Sequence, residues 1–264
     1  MFQLFREILK PAVSYLGKAE YREWIAVKSA CRKKMPRTPV TLNIAGFTVS
    51  GPDALSFLHQ YEEIFVRRAF DIEFKKKDPV IFCCGANIGL EIFFFKKRYP
   101  DCKIKAFEAD PEIAAVLAKN VTENKLNDVE VISAAAWDEE GKITFEPDGA
   151  LGGKAGKGTT EIPSVRLAYH LNKEAHIDLL LIDIEGAETK VLADCKEQLS
   201  KVENLFVEWH GPDKEKQNLD ELLLLLTASG FRYRLNNKLP EAPFIHHIIE
   251  GGFDAMVEIY AQKK

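Results

Sequence analysis

From residue 79 onward the chain alternates nearly continuous apolar runs with amphipathic stretches. Strand candidates are 79–84, 103–108, 129–135, 177–183 and 204–209. Apolar runs without alternation are how strands buried on both faces read. Between them, 88–98, 111–125 and 187–199 carry helical spacing, and 214–229 follows with leucines 222–226 as its buried face. This rhythm predicts an α/β fold, a mostly parallel sheet covered by helices on both sides. The tail departs from it. Residues 231–235 and 253–260 look like strands, with no convincing helix in 236–252. A hairpin-like terminal pair, one strand antiparallel to the sheet, is the simplest arrangement.

The first part of the chain has a different pattern. Residues 2–34 show an apolar stripe at helical spacing, including Phe5, Leu9, Tyr21 and Trp24, interrupted at Pro11. Pro36 and Pro39 mark a linker. Val40–Ile44 and Phe47–Ser50 flank Ala45-Gly46 and read as a hairpin. Residues 54–70 return to helical spacing through Leu55, Leu58, Tyr61 and Phe65. The expected organisation is an N-terminal helical extension and hairpin cap over 1–75 and an α/β domain over 76–264. Residues 147–163, rich in Gly and Lys, read as a flexible insertion, either a lid beside the pocket or a surface loop. Walker spacing fails there, because Lys157 is followed by Gly158.

Composition adds limits. The chain has 264 residues, 46% hydrophobic and 29% charged, with net charge −4. It is no electrostatic match for nucleic acid as a whole. The charge is uneven: nine basic and three acidic residues stand in the first 40 (+6), which leaves −10 for the rest. That arm reads as a solvated extension on an acidic body, or as a contact for an anionic surface. No run of about 18 apolar residues exists, so no transmembrane helix is expected. Arg6, Glu7 and Lys10 interrupt any secretory h-region. Five cysteines without CxxC spacing read as reduced thiols of a cytoplasmic protein, and a zinc site is not expected.

In an open α/β sheet, ligands bind outside the carboxyl ends of the strands. The first strand of the sheet runs into Gly85-Ala-Asn-Ile-Gly89, a tight turn before a helix whose free amides suit a polar or negative group. Glu108 ends the second strand 23 positions after Gly85, where an acid grips a ribose diol. A nicotinamide cofactor wants G-x-G-x-x-G for its pyrophosphate, and Asn87 stands where the second glycine belongs. S-adenosylmethionine has ribose and adenine but no phosphate, so one tight turn suffices.

Five segments in order resemble the motifs of FkbM-type S-adenosylmethionine-dependent methyltransferases. They are Gly85–Gly89, Ala106–Pro111, Ala135–Asp138, Ile182–Glu188 and Val207–His210. The resemblance spans roughly 79–211. It implies a Rossmann-like fold, with a seven-stranded sheet and an antiparallel last strand, and O-methylation of a small-molecule or glycan hydroxyl. It further implies that Gly85, Ala86, Asn87 and Gly89 line the methionine and ribose part of the cofactor. Glu108 and Ala109 then lie at the ribose, and Ala136 and Trp137 border the adenine. Two positions depart from the family: Cys83 stands where an acid usually orients the methionine ammonium, and Ile182 where Lys is common. They motivate an alternative, a protein that keeps the fold and binds cofactor or partner without turnover.

For catalysis, Asp183 and His210 end neighbouring strands. His210 is the candidate general base, since its ordinary pKa suits the task, and Asp183 the orienting acid. Glu185, Glu188 and Glu208 add oxygens that suit magnesium, though no metal is predicted. His246 and His247 are candidates for the acceptor pocket.

Overall fold

The computed structural model describes residues 16–146, 153–155, 158–213, 216–238 and 253–263. Its centre is a seven-stranded sheet. β3 (Val80–Cys84), β4 (Lys103–Glu108), β5 (Val129–Ser133), β10 (Ile177–Ile182), β11 (Val202–Pro212), β12 (Phe231–Asn237) and β13 (Phe253–Lys263) form it in the order β12-β13-β11-β10-β3-β4-β5. β13 lies antiparallel between β11 and β12, while β11, β10, β3, β4 and β5 pair in parallel. The order reverses at β3 and β10, so a crevice opens above their tips.

Two apolar layers cover the sheet. On one face lie α3 (Leu90–Arg98) and α4 (Pro111–Glu123), together with the N-terminal elements. On the other lie α5 (Leu167–Asn172), α6 (Glu188–Asp194) and α7 (Leu219–Ala228). The N-terminal elements are α1 (Lys18–Cys31), the hairpin β1 (Val40–Ile44) and β2 (Phe47–Gly51), and α2 (Ala54–Tyr61). Trp24, Phe57 and Tyr61 sit in one apolar cluster with Ile81, Phe93 and Phe95. The buried Trp24 indole donates to Glu62 Oε1 at 2.8 Å and ties α1 to the π-helical turn Glu62–Val66 that continues α2. Two asparagines pin the hairpin to α4. Asn120 bonds both backbone groups of Ser50 at 2.9 Å, and Asn124, which caps α4, bonds both of Thr48 at 2.7 and 2.9 Å. Asn120 also donates to the Ile88 carbonyl in the glycine turn at 3.1 Å.

The stretch after β5 differs from expectation. The apolar run ends as a strand at Ser133, and β6 (Ala135–Trp137) belongs to a second, four-stranded sheet with β7 (Gly141–Glu146), β8 (Lys154–Ala155) and β9 (Thr160–Arg166). The expected flexible insertion at 147–163 thus contributes strand at 154–155 and 160–163. The cause is a period-two pattern: Phe145, Ile162 and Ser164 are buried while Thr144, Glu161 and Pro163 face water. Residues 147–152 and 156–157, most of 236–252 with His246 and His247, and residues 1–15 of the basic arm lie outside the described residues. All five cysteines are buried and free. Among the described residues, no helix is long and apolar enough to cross a membrane.

Candidate active site

The glycine turn sits at the switch between β3 and α3. Gly85 has φ +82°, and a Cβ there would lie 1.7 Å from the Asp183 carbonyl oxygen, so only glycine fits where β3 and β10 meet. Asn87 (φ +45°) also holds a left-handed conformation, as does Gly89 (φ +87°).

The amides of the turn are not free. Gly85 and Ala86 donate to the Phe107 carbonyl at 3.0 and 2.9 Å, and Gly89 donates to Ala86 at 2.8 Å. Asn87 N–H reaches Glu108 Oε2 at 2.7 Å, and Ile88 N–H reaches Asn87 Oδ1 at 2.8 Å. The five amides of the turn itself are therefore spent within the chain. A pyrophosphate finds no seat on these five amides, whereas a phosphate-free nucleoside needs none of them.

Glu108 remains the polar feature of this end. Its Oε1 accepts from Asp110 N–H at 2.8 Å, so each oxygen holds one backbone bond and keeps a further acceptor position for a ligand hydroxyl. Burial pushes its carboxyl up to about 7, although the Asp110 and Asn87 amides pull it down. Ala109 packs beside Ala135, Phe145 and Ile162. Ala136 and Trp137 lie in β6, not on the main sheet; Trp137 is buried, with the Lys190 ammonium 4.6 Å from its ring centre.

The second half of the site is built from the tips of β10 and β11. Ile184-Glu185-Gly186 turns sharply, with Glu185 at φ +57° and Gly186 at +101°. Glu188, the first residue of α6, holds this turn: its Oε1 accepts from Gly186 N–H at 2.9 Å. The same oxygen meets His210 Nδ1 at 2.9 Å, and both side chains are 1% exposed. With Nδ1 engaged, His210 presents Nε2 to Glu185 Oε2 at 3.7 Å, Glu208 Oε1 at 3.8 Å and Asp183 Oδ1 at 4.0 Å. Burial alone would lower the imidazole pKa; the charge and hydrogen bond of Glu188, with Asp183 and Glu185, outweigh it and push His210 up to about 10. Asp183 is raised too, by burial and by Glu208, Glu185 and Glu188, against the pull of His210. Its Oδ1 is enclosed and makes no hydrogen bond to a described residue.

The structure thus brings Asp183 and His210 together. Glu188, foreseen only as one more nearby carboxylate, is the partner that orients the histidine. Glu208 extends the cluster outward. Lys238 Nζ lies 3.1 Å from Glu208 Oε2 and 2.7 Å from Glu258 Oε1, and it also bonds Glu63. Lys238 and Glu63 were not legible as site neighbours, because they come from the end of β12 and from the π-helical turn. Register alone places Glu258 opposite Glu208. Asp183, Glu185 and His210 each offer one ligand atom, all within 4.8 Å, a set able to hold a divalent cation. Acids outnumber bases at these tips. That suits a sulfonium cofactor, which brings positive charge and no phosphate.

Comparison with known proteins bears on the family and the fold. The sequence profile of the family described as "Methyltransferase FkbM domain" matches residues 84–233. Methyltransferase sdnD of Sordaria araneosa is 29% identical over 205 residues, covering 62% of this chain and 78% of that protein. The 31-O-demethyl-FK506 methyltransferase FkbM of Streptomyces tacrolimicus is 28% identical over 228 residues, covering 70% and 86%. The 2-O-methyltransferase NoeI of Sinorhizobium fredii is 27% identical over 159 residues, covering 51% and 65%. Among solved structures, methyltransferase FkbM from Methylobacillus flagellatus superposes with a TM-score of 0.50 at 14% identity, over 92% of this chain and 60% of that one. That likeness concerns the fold.

Proposed function

The chain belongs to the FkbM family of S-adenosylmethionine-dependent methyltransferases, and from that premise we propose that it methylates a hydroxyl oxygen of a small molecule or glycan, with the His210 cluster as proton acceptor. The observation that carries this reading is the buried Glu188–His210 pair, whose Nε2 faces the carboxylates at the strand tips. The 2-O- and 31-O- activities named for two relatives point the same way.

The cofactor supplies a methyl group already activated on a positive sulfur. The chain has to place the acceptor oxygen in line with it and take the hydroxyl proton. Glu108 holds the ribose hydroxyls in this reading, and Gly85 to Gly89 flank the methionine end. Asp183 Oδ1, which has no hydrogen-bond partner among the described residues, accepts a hydrogen bond from the acceptor hydroxyl.

In the ligand-free protein at neutral pH, His210 carries its proton. Positive charge arriving at the strand tips lowers the pKa of every neighbouring group. With such a charge bound there, the acidic cluster around His210 would release a proton and leave Nε2 able to accept one. As the oxygen takes the methyl, its proton passes to the cluster. Glu188 keeps the imidazole oriented throughout.

Incubation with isotope-labelled S-adenosylmethionine and a panel of sugars, oligosaccharides and polyhydroxylated small molecules tests this. Label on oxygen in one acceptor class is expected. Label on nitrogen or carbon only would overturn the O-methyl reading. Cofactor binding without transfer to any acceptor would favour the alternative that Cys83 motivates, a fold that binds without turnover.

A further inference from the structure

We propose that Glu91 is a positioning residue for the methionine ammonium of the cofactor, supplying from α3 the negative charge that Cys83 does not supply from β3. The inference rests on the cofactor reading and is independent of the acceptor.

Glu91 is the second residue of α3, the helix whose N-cap, Gly89, closes the glycine turn. It is 7% exposed, on a helix whose neighbouring positions are Leu90, Ile92, Phe93, Phe94 and Phe95. A carboxyl among such neighbours is expensive to bury unless something partners it. Yet Glu91 Oε1 is enclosed and has no hydrogen-bond partner among the described residues. The ionisable groups that bear on it electrostatically are acids and thiols. Glu108 raises its pKa, and its own charge is felt at the Cys83 thiol. Burial, first, and Glu108 push the Glu91 carboxyl up to about 8, against its own backbone N–H.

Glu91 thus stands two residues after Gly89, within electrostatic reach of Cys83 and Glu108, and among the described residues no lysine or arginine is one of the charges that shift it. Such a group stays protonated until a cation reaches it. The cofactor brings two positive charges, on sulfur and on the amino nitrogen. Of these, the amino group is the one a carboxylate can both pair and hydrogen-bond. The carboxyl is unfavourable in the ligand-free fold, and its partner arrives with the ligand. Buried carboxyls of this kind lower stability and are retained where function needs them.

The experiment separates the ammonium from the nucleoside. Calorimetry is run with S-adenosylhomocysteine, which carries the amino acid, and with 5′-methylthioadenosine, which lacks it. In Glu91→Gln, affinity for S-adenosylhomocysteine should fall about tenfold, while methylthioadenosine binds as before. The variant should melt at or above the wild-type temperature. Adding Cys83→Asp to Glu91→Gln should restore most of the lost affinity. Equal loss for both ligands, or no loss for either, would overturn the proposal, since a merely structural residue does not discriminate them. If Glu91→Gln does not fold, Glu91→Met is measured in its place; failure of both makes Glu91 structural and overturns the proposal. A wild-type protein that binds neither ligand sinks the cofactor reading itself, a result distinct from all of these.

Discussion

Glu188 Oε1 and His210 Nδ1 lie 2.9 Å apart with both side chains 1% exposed, so two ionisable groups from α6 and β11 share one proton away from water. Their pairing fixes which imidazole nitrogen faces the strand tips. Glu188→Gln keeps the size and removes the charge that most strongly raises the histidine. His210 should then titrate at least about one unit lower, which is roughly 1.4 kcal/mol of lost charge interaction. The rise of kcat with pH should shift downward by the same amount. A kcat–pH profile on both proteins checks this. An unmoved profile would mean that another group titrates.

Cofactor affinity should depend on pH through Glu108. A ribose diol donates two hydrogen bonds, and an ionised carboxylate accepts them best. Because the Glu108 carboxyl is raised to about 7, its ionised fraction drops about tenfold between pH 8 and pH 6, and S-adenosylhomocysteine should bind about tenfold more weakly at the lower pH. Glu108→Ala should weaken binding by at least about 1.4 kcal/mol at pH 8 and flatten this dependence. Calorimetry at three pH values decides it.

Gly85→Ala should be severe. The new methyl would meet the Asp183 carbonyl at 1.7 Å in a backbone conformation that L side chains avoid. The collision is with backbone, which cannot swing aside, so β3 and β10 would have to separate. A loss of roughly 3 kcal/mol or more is expected, read as a lower urea midpoint with an unchanged slope.

The ligand-free protein should lose stability between pH 6 and pH 9. Glu91 and Glu108 are raised to about 8 and about 7, so the fold binds their protons more tightly than the unfolded chain does. Their contribution is greatest below the unfolded pKa near 4.5 and falls as pH rises through the folded values. His210, raised to about 10, has the same sign: full below about 6.5, then lost towards 10. Melting should therefore drop by at least roughly 10 °C over this interval. Saturating S-adenosylmethionine should reduce the drop, because its charge stabilises the ionised acids. A melting curve that rises with pH would contradict the placement of these groups.

The main sheet was legible because its strands are apolar on both faces, and Ile177–Ile182 and Val80–Cys84 allow no other periodicity. The glycine turn, Glu108, Asp183 and His210 were legible because strand tips in such sheets are where chemistry collects. The second sheet was not. Its alternation through Ile143, Phe145, Ile162 and Ser164 is interrupted by the Gly- and Lys-rich run from 149 to 158, which masks the period of two. Two features are set by the three-dimensional fold. Sequence spacing placed amides at the glycine turn, but only geometry shows that each already has an acceptor. Likewise Glu91 reads as an ordinary acid in the first turn of a helix until its burial and its unpaired oxygen are seen.

The asparagines that clasp the hairpin have a consequence during synthesis. Residue 50 leaves the ribosome 70 residues ahead of Asn120, the side chain that completes its hydrogen bonds. At ordinary elongation rates that interval is roughly 4–14 s. Through that time the outer edge of β2 is an unsatisfied strand, open to any neighbouring chain. The hairpin's hydrogen bonds to Asn120 and Asn124 can close only once α4 has been made. Because Asn120 also grips the Ile88 carbonyl, the side chain that closes the edge of β2 is the one that holds the glycine turn.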